Sequence, residues 1–290
     1  MSRARAAVIG GSGFYALEDL TDVEEVRPDT PFGPPSDTIV IGTLGDTPVA
    51  FLPRHGRGHR ILPSDLPSRA NIYALKTLGV EFVIGVSAVG SLREEIAPMD
   101  LVVPDQLIDR TAGRPATFFG DGLAVHVPFA EPFCPVLRRA LYEASTQAGA
   151  TVHDGGTLVV MEGPAFSTRA ESTLYRAWGA SLIGMTALPE AKLAREAEMC
   201  YAILACTTDY DCWHESYASV TAEMIVRNLT QSVAAARRAV GLALERLPAH
   251  RDCACAGALR DAVVTPWRLV PESTKQKLAP IIGRRLEQAE

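Results

Sequence analysis

Apolar and polar residues alternate in blocks along this chain, and the blocks predict strands and helices in turn. Short apolar runs without internal alternation are typical of strands buried on both faces, and they occur at residues 6–9, 80–86 and 200–206. Further strands are predicted at residues 23–27, 38–42, 47–52, 100–104, 105–110, 156–161 and 181–186. Helical patterns span residues 69–78, 136–147, 188–198, 221–246 and 273–288, and another helix capped by Ser167 or Thr168 runs to Trp178. Strands that alternate with helices predict an α/β architecture.

The composition changes after Pro248. Residues 249–290 contain the pair Cys253 and Cys255, three prolines and a charged terminal helix. We therefore predict a main domain over residues 1–248 and a C-terminal extension over 249–290 that packs on the same domain.

Two carboxylates follow the apolar run 200–206. Asp209 and Asp211 lie where open α/β sheets bind ligands, just past the carboxyl end of a buried strand. If the segment stays extended, both side chains point to the same side. Two close carboxylates separate their pKa values, so one can be protonated while the other is ionised. A polar loop with a helix cap at Asp211 is the structural alternative.

A glycine-rich loop ends the first strand. Gly10, Gly11 and Gly13 allow a tight turn that brings backbone N–H groups against an anion, and Ser12 adds a hydroxyl. Residues 11–16 also fit the relaxed dinucleotide pattern G-x-G-x-x-A. That pattern needs a crossover helix, and the strand predicted at 23–27 begins too soon for one.

A basic loop, residues 53–60, follows the strand 47–52. It contains three arginines, two histidines and two glycines, and Arg54 and His55 stand directly at the strand end. Arginine forks match phosphate oxygens, so this loop predicts an anion site, with a solvated basic turn as the alternative. An anion site beside residues able to enclose a flat ring, such as Phe166 and Met185, suggests phosphorolysis or ribosyl transfer.

The bulk properties exclude some partners. The 290-residue chain is 47% hydrophobic with a net charge of −6, which argues against nucleic acid or an anionic membrane as its main partner. No stretch approaches about 18 apolar residues, so we expect a cytoplasmic protein without a membrane span.

The cysteines form a separate question. Four of them lie in or beside apolar segments and are predicted to be buried thiols: Cys134, Cys200, Cys206 and Cys212. A lone C-x-C does not have the usual zinc spacing, so no metal is predicted. Cys253 and Cys255 are expected to form an exposed redox pair or to bridge to Cys200 or Cys206.

A family resemblance adds to this interpretation. The ordered motifs IGGSGF, RHGRGH, SAVGSLREE, EGPAFSTRAES, MTALPEA and TDYDCW, within residues 6–245, closely resemble the 5′-methylthioadenosine phosphorylases, in the trimeric branch of the purine nucleoside phosphorylases. The resemblance implies a mixed, distorted barrel-like β-sheet flanked by helices and a homotrimer, or a dimer of trimers. It implies phosphorolysis of 5′-methylthioadenosine in purine and methionine salvage, with inorganic phosphate as co-substrate and no cofactor. The alternatives are a phosphorylase of another 5′-substituted adenosine, for example 5′-halo, or of methylthioinosine. A dinucleotide-binding protein is the alternative from another class.

The resemblance also implies residue roles. The matched phosphate-site positions are Ser12, Arg54, His55, Ser87, Ala88 and Thr186. The matched substrate-site positions are Phe166, Met185, Asp209, Tyr210, Asp211, Ala222, Ile225 and His126, the last contributed by a neighbouring subunit. Asp209 is expected to protonate the purine at N7 and Asp211 to orient the amino group. Ser167 and Ala222 are specificity positions, and Ala222 is smaller than the valine of some members, which widens the expected 5′ pocket. Gly184 replaces an asparagine found in some members.

Overall fold

The computed structural model describes residues 3–10, 20–214 and 221–287. Ser12 and most of the predicted glycine-rich loop lie outside these residues. The described strands are β1 (Ala6–Gly10), β2 (Thr21–Val26), β3 (Ile39–Leu44), β4 (Thr47–Pro53), β5 (Phe82–Ser91), β6 (Leu101–Val103), β7 (Gln106–Arg110), β8 (Val152–Asp154), β9 (Thr157–Met161), β10 (Leu182–Gly184) and β11 (Cys200–Asp209). The described α-helices are α1 (Ser68–Thr77), α2 (Pro135–Gln147), α3 (Arg169–Ala177), α4 (Ala187–Glu196), α5 (Ala222–Glu245) and α6 (Glu272–Glu287).

These strands form one mixed sheet. Its main path runs β2-β3-β4-β1-β5-β10-β9-β7, with β11 beside β5, β6 beside β11 and β8 beside β6. Strands β4, β1, β5 and β11 are parallel where they pair, while β10 meets the end of β5 in antiparallel fashion. The carboxyl ends of β1, β4 and β11 therefore point to the same edge of the sheet, which is where α/β folds bind ligands.

Helices cover both faces of the sheet. Along β11, Tyr201 and Ile203 join the core formed with α1, α4 and α6, while Ala202 and Leu204 join the core formed with α2 and α5. This alternation follows from the two-residue period of a strand. The predicted mixed sheet flanked by helices is confirmed.

Strand β5 is longer than the apolar run that predicted it. The prediction ended at residue 86, whereas β5 continues to Ser91 because it pairs with β11 through Gly90 and with β10 at Gly90 and Ser91. The prediction that Ser87 follows a strand end was therefore wrong, since Ser87 lies inside β5. Small and hydroxylated residues hid this continuation from a search for apolar runs. Strand β8 was also missed, because it has three residues and none of them is buried.

Several local predictions are confirmed. Strands β3 and β4, predicted at residues 38–42 and 47–52, form a hairpin across Gly45, whose φ of 57° suits a tight turn. Thr168 caps α3, and its side chain and that of Glu171 form a reciprocal capping box. The dinucleotide alternative required β1 to lead through a crossover helix into a parallel strand, but β2 pairs antiparallel with β3.

The C-terminal segment packs into the cores of the main sheet. Leu259, Leu278 and Ile282 are buried in the core on the α1 face. Glu198, just before β11, receives hydrogen bonds from Arg285 and from the backbone N–H of Leu259. Across the described ranges, no helix is long and apolar enough to cross a membrane.

Candidate functional site

Arg54 stands at the shared strand edge and is buried. Its backbone N–H donates to Gly10 O at 2.9 Å, which ties the end of β4 to the end of β1. Its guanidinium donates from Nε to Glu190 Oε1 at 2.5 Å, from Nη1 to Val86 O at 2.7 Å and from Nη2 to Ile9 O at 3.1 Å. A further Nη2 contact reaches Glu190 Oε2 at 3.1 Å. The four contacts occupy four of the five N–H groups, so Arg54 fastens three elements together at this edge.

Glu190 on α4 compensates the buried charge of Arg54. Burial disfavours the charged guanidinium and acts to lower the pKa of Arg54. The charge of the Glu190 carboxylate and its hydrogen bonds act in the opposite direction, and the net pKa of Arg54 is raised. The hydroxyl of Tyr201 donates to Glu190 Oε2 at 2.8 Å. A Cβ on Gly85 would come within 2.7 Å of that hydroxyl, so a glycine is required on β5 at this place. Sequence analysis predicted Arg54 but missed Glu190 and Tyr201.

His55 is neutral at physiological pH. Burial, with a smaller contribution from the Arg54 charge, lowers its pKa to about 4. Its Nδ1 lies 2.8 Å from Ile61 O, and because a carbonyl only accepts, Nδ1 carries the proton. Nε2 is therefore left with a lone pair. The ring stacks on His59 at a centroid distance of 4.1 Å.

Ser87 and Thr186 come together although they are far apart in sequence. Their hydroxyl oxygens lie 3.0 Å apart, Ser87 within β5 and Thr186 just after β10. Ala88, half-buried, follows Ser87 on the same strand. The paired hydroxyls offer protons and lone pairs on β5, two residues beyond Gly85, where its pairing with β1 ends.

Asp209 and Asp211 are both buried at the end of β11, at 4% and 5% exposure. The expected extended geometry does not hold, because Asp211 adopts a φ of 50° and the chain turns after Asp209. The turn lets the Asp211 N–H donate to Asp209 Oδ1 at 2.8 Å. The alternative of a polar loop with a helix cap at Asp211 is wrong, since both carboxylates are buried and Asp211 lies in a turn.

Burial raises the pKa of both carboxyls. Asp209 Oδ2 accepts from the Thr208 hydroxyl at 2.7 Å. In contrast, Asp211 Oδ2 is buried and has no hydrogen-bond partner in the described part of the chain. Asn228 on α5 donates to Thr208 O at 2.7 Å and so ties the long helix to this strand end, a contact that the sequence did not reveal. An unpartnered buried oxygen favours a ligand with an N–H or O–H donor.

The segment after β9 lies beside this turn. Cys212 Sγ contacts Ser167 O at 3.3 Å, which joins the Asp211 turn to the expected specificity position. Phe166 next to it is 43% exposed, so a large aromatic face is open to solvent. Met185 packs against Gly163, where a Cβ would come within 2.6 Å of its sulfur.

Arg114 is a positioning residue that sequence analysis missed. It donates to Met185 O at 2.7 Å and to Leu188 O at 2.8 Å, and it pairs with Glu162 Oε2 at 3.0 Å. These contacts hold the segments after β9 and β10 in one arrangement. The only signal in the sequence was its place in a stretch rich in glycine, proline and phenylalanine, residues 111–122, because loops of this kind often carry functional residues.

The remaining predicted residues make fewer contacts with the carboxyl pair and the strand edge. The Tyr210 hydroxyl donates to Glu94 O at 3.2 Å, and Ile225 is half-buried in the first turn of α5, which begins at Ala222. His126 is exposed, and its backbone N–H donates to Ala262 O at 2.8 Å in the C-terminal segment. In the described ranges, no contact joins His126 to Asp209, so its expected role across an interface stays a prediction.

Four cysteines form a second cluster, distinct from this edge. The sulfurs of Cys134, Cys200, Cys253 and Cys255 all lie within 4.8 Å of one another, and none is in a disulfide. Cys255 is buried and Cys253 half-buried, so the expectation of an exposed redox pair was wrong. The expected proximity to Cys200 is present, with Cys253 Sγ 3.3 Å from Cys200 Sγ.

Comparisons with known proteins agree on one family. The model of the phosphorylase superfamily matches residues 5–245. The S-methyl-5′-thioadenosine phosphorylase of Geobacter sulfurreducens is 56% identical over 277 residues, covering 95% of this chain and 97% of that protein. A methylthioadenosine phosphorylase crystal structure from an Antarctic soil metagenomic library has a TM-score of 0.92 and 47% identity, covering 97% of this chain and 99% of that one. The methylthioadenosine phosphorylase of Schistosoma mansoni in complex with adenine has a TM-score of 0.82 and 34% identity, covering 97% and 98%.

Proposed function

The chain belongs to the phosphorylase superfamily, and we propose that it catalyses phosphorolysis of 5′-methylthioadenosine to adenine and 5-methylthioribose 1-phosphate. The buried carboxyl pair Asp209 and Asp211, at the same strand edge as the Ser87–Thr186 hydroxyl pair, carries the proposal. Asp209 Oδ1 lies against Gly90 of β5. Gly90 is three residues from Ser87 on that strand, so the carboxyl pair and the hydroxyl pair are about 10 Å apart. A purine and a phosphate on opposite faces of the anomeric carbon of one ribose fit this distance.

The phosphate is the nucleophile, with no cofactor. Ser87 and Thr186 donate hydroxyl protons to its oxygens, Ala88 lies beside Ser87 on β5, and Arg54 offers its fifth N–H at Nη1. The family resemblance adds the hydroxyl of Ser12 to this set. The Nε2 lone pair of neutral His55 accepts from the P–OH of monohydrogen phosphate. The site therefore selects a phosphate that still carries one proton. The negative charge lies below the anomeric carbon and stabilises the oxocarbenium-like sugar as the C–N bond loosens.

The base is held and protonated by the two carboxyls. Because burial raises the pKa of Asp209, its protonated form persists to higher pH and can donate from Oδ2 to purine N7. The unpartnered Asp211 Oδ2 accepts from the exocyclic amino group of adenine. Phe166 covers the ring, Tyr210 shapes the base site and Met185 contacts the ribose. Adenine then leaves as a neutral molecule.

The alkylthio group occupies a pocket formed by Ala222, Ile225 and His126 of a neighbouring subunit in a homotrimer. An exposed apolar side chain beside the His126 loop supports an interface there: Val264 is 64% exposed, and its N–H donates to Ala124 O. We place the enzyme in the cytoplasm, in purine and methionine salvage. Ser167 and the small Ala222 set the substrate preference.

The test is release of free adenine from 5′-methylthioadenosine with and without phosphate. We expect release to depend strictly on phosphate and ³¹P NMR to detect a sugar 1-phosphate. A panel of 5′-methylthioadenosine, 5′-chloro-5′-deoxyadenosine, methylthioinosine and adenosine should give the highest kcat/KM for the first. Equal release without phosphate indicates a nucleosidase, and preference for another substrate in the panel overturns the assignment.

Mixed oligomers test the shared pocket. His126→Ala should raise the KM for 5′-methylthioadenosine more than for adenosine, because adenosine has no alkylthio group. Mixing His126→Ala subunits with Asp209→Asn subunits should restore some intact sites, since each site draws the two residues from different chains. Sedimentation should show a trimer or a dimer of trimers. No recovery after verified subunit exchange would assign His126 to its own chain or to no site.

A further inference from the structure

Three distant parts of the chain bring four sulfurs to one point. Cys134 immediately precedes α2, Cys200 is the first residue of β11, and Cys253 and Cys255 lie in the C-terminal segment. All four sulfur atoms lie within 4.8 Å of one another, three of the residues are buried, and Cys253 is half-buried. The Cys134 N–H donates to Tyr201 O at 2.8 Å, which fixes the start of α2 against β11. The cluster is therefore held by backbone contacts as well as by side-chain packing.

Backbone N–H groups donate to two of the four sulfurs. The N–H of Leu137, in the first turn of α2, donates to Cys134, and the N–H of Cys255 donates to Cys253. A helix N-terminus and N–H groups stabilise thiolates, which are the form that binds a metal. Four clustered thiols, three of them buried, have only weak hydrogen bonds to offer one another, so a cation satisfies this set better than protons do.

We propose that Cys134, Cys200, Cys253 and Cys255 bind one structural zinc ion. Tetrahedral zinc with a Zn–S distance of about 2.3 Å requires sulfurs about 3.8 Å apart, which lies within the 4.8 Å limit of the cluster and close to the 3.3 Å between Cys200 and Cys253. Soft thiolate ligands in a tetrahedral set of four select zinc or iron over magnesium and calcium. Four protein ligands fill the coordination sphere, so the ion is structural and leaves no position for a substrate.

The location gives the ion its role. Cys200 begins β11 and Asp209 ends it, so the two sites are about 30 Å apart along the strand. The ion joins the C-terminal segment to α2 and β11, close to Glu198, which also binds that segment through Arg285 and Leu259. Loss of the metal should therefore loosen residues 251–257 and lower thermal stability, while phosphorolysis at the opposite end continues.

The first measurement is the metal content of untagged full-length protein expressed with added zinc. We expect one zinc ion per chain by inductively coupled plasma mass spectrometry, and release of that zinc by a thiol-specific mercurial. Native mass spectrometry should show the metal bound and four free thiols after its removal. Protein grown with cobalt instead should show the intense visible absorption of tetrahedral cobalt thiolate. A metal-free chain that is four hydrogens lighter, with two disulfides, overturns the proposal, and iron in place of zinc also overturns it.

Variants separate this site from the catalytic one. Cys253→Ser combined with Cys255→Ser should lose the zinc and lower Tm, with kcat/KM changed less than two-fold. Cys255→His should retain zinc, because histidine is also a zinc ligand. Cys206→Ser, a buried cysteine on the same strand outside the cluster, is the matched control and should keep one zinc ion per chain. Full zinc retention in the double serine variant would refute the ligand assignment, and the cobalt spectrum of the unaltered protein remains decisive if that variant fails to fold.

Discussion

Replacing Glu190 by glutamine should destabilise the protein by about 3 kcal/mol. Glu190 and Arg54 are each 1% exposed and form a bidentate pair with contacts of 2.5 and 3.1 Å. Removing one partner of a buried pair costs about 3–5 kcal/mol, because the other charge is left uncompensated. Glutamine keeps the shape and one acceptor, so we expect the lower end of this range. Its amide NH₂ also places a donor against a guanidinium donor.

Two further variants calibrate the result. Tyr201→Phe removes one hydrogen bond of 2.8 Å to the same carboxylate, for which about 1.5–3 kcal/mol is expected. Glu143→Gln is the matched control, because Glu143 pairs with Arg139 at 2.8 Å on the exposed face of α2. Solvent screens that pair, so its loss should leave stability almost unchanged.

The assay is urea unfolding at pH 7, with the slope of each transition compared so that only stability changes are interpreted. The uncompensated charge of Arg54 should also lower the KM for phosphate in Glu190→Gln, with the KM for the nucleoside unchanged. The reasoning is refuted if Glu190→Gln and Glu143→Gln unfold at the same urea concentration with equal slopes.

Three other changes test the site and its surroundings. The double variant Asp209→Asn, Asp211→Asn should shift preference from adenosine toward inosine in kcat/KM, because an asparagine amide can donate to a 6-oxo group; unchanged selectivity contradicts the base-site assignment. Gly90→Ala should lower kcat/KM at least ten-fold, since its Cβ would lie 2.9 Å from Asp209 Oδ1 and 3.0 Å from Ile183 Cγ2; full activity contradicts this packing. Burial raises the pKa of Glu196 from 4.5 to about 7. The contribution of protonated Glu196 to the free energy of unfolding is therefore full below pH 4.5 and is lost as pH rises through about 7. Unfolding free energy should thus fall by roughly 3 kcal/mol between pH 4.5 and 8 relative to Glu196→Gln, and parallel pH profiles for the two proteins contradict the assignment.

Local sequence patterns predicted the strand edge and its polar residues for a physical reason. A buried parallel strand needs an uninterrupted apolar run, so the end of the run marks the end of the strand, as at Arg54 after β4. Parallel neighbours end at the same edge, so residues found separately in the sequence could be assigned to one site. The same reasoning failed at β5, where glycine and serine continue the strand because neighbouring strands pair with them.

The partners of these residues could not be predicted in the same way. Glu190 lies 136 positions from Arg54 in the sequence. It belongs to a helix, and most glutamates in helices are exposed to solvent, so its sequence position gave no sign of a buried ion pair. Arg114 acts on backbone carbonyls 71 and 74 positions away, and backbone carbonyls carry no residue-specific signal. Charge compensation and loop positioning are tertiary properties, and they emerge only when the sheet order is known.

The cysteine cluster shows the same limit most clearly and separates two properties of the enzyme. Only Cys253 and Cys255 are close in sequence, whereas Cys134 and Cys200 reach them through the docking of α2 and the C-terminal segment on β11. Rules of metal-ligand spacing detect sites within one loop and pass over sites assembled from separate elements. Strand β11 carries Cys200 of the cluster at its first residue and Asp209 at its last, so one strand joins the end where we propose a structural ion to the end where we propose catalysis. Changes at the sulfur end should therefore act on unfolding, and changes at the carboxylate end on turnover.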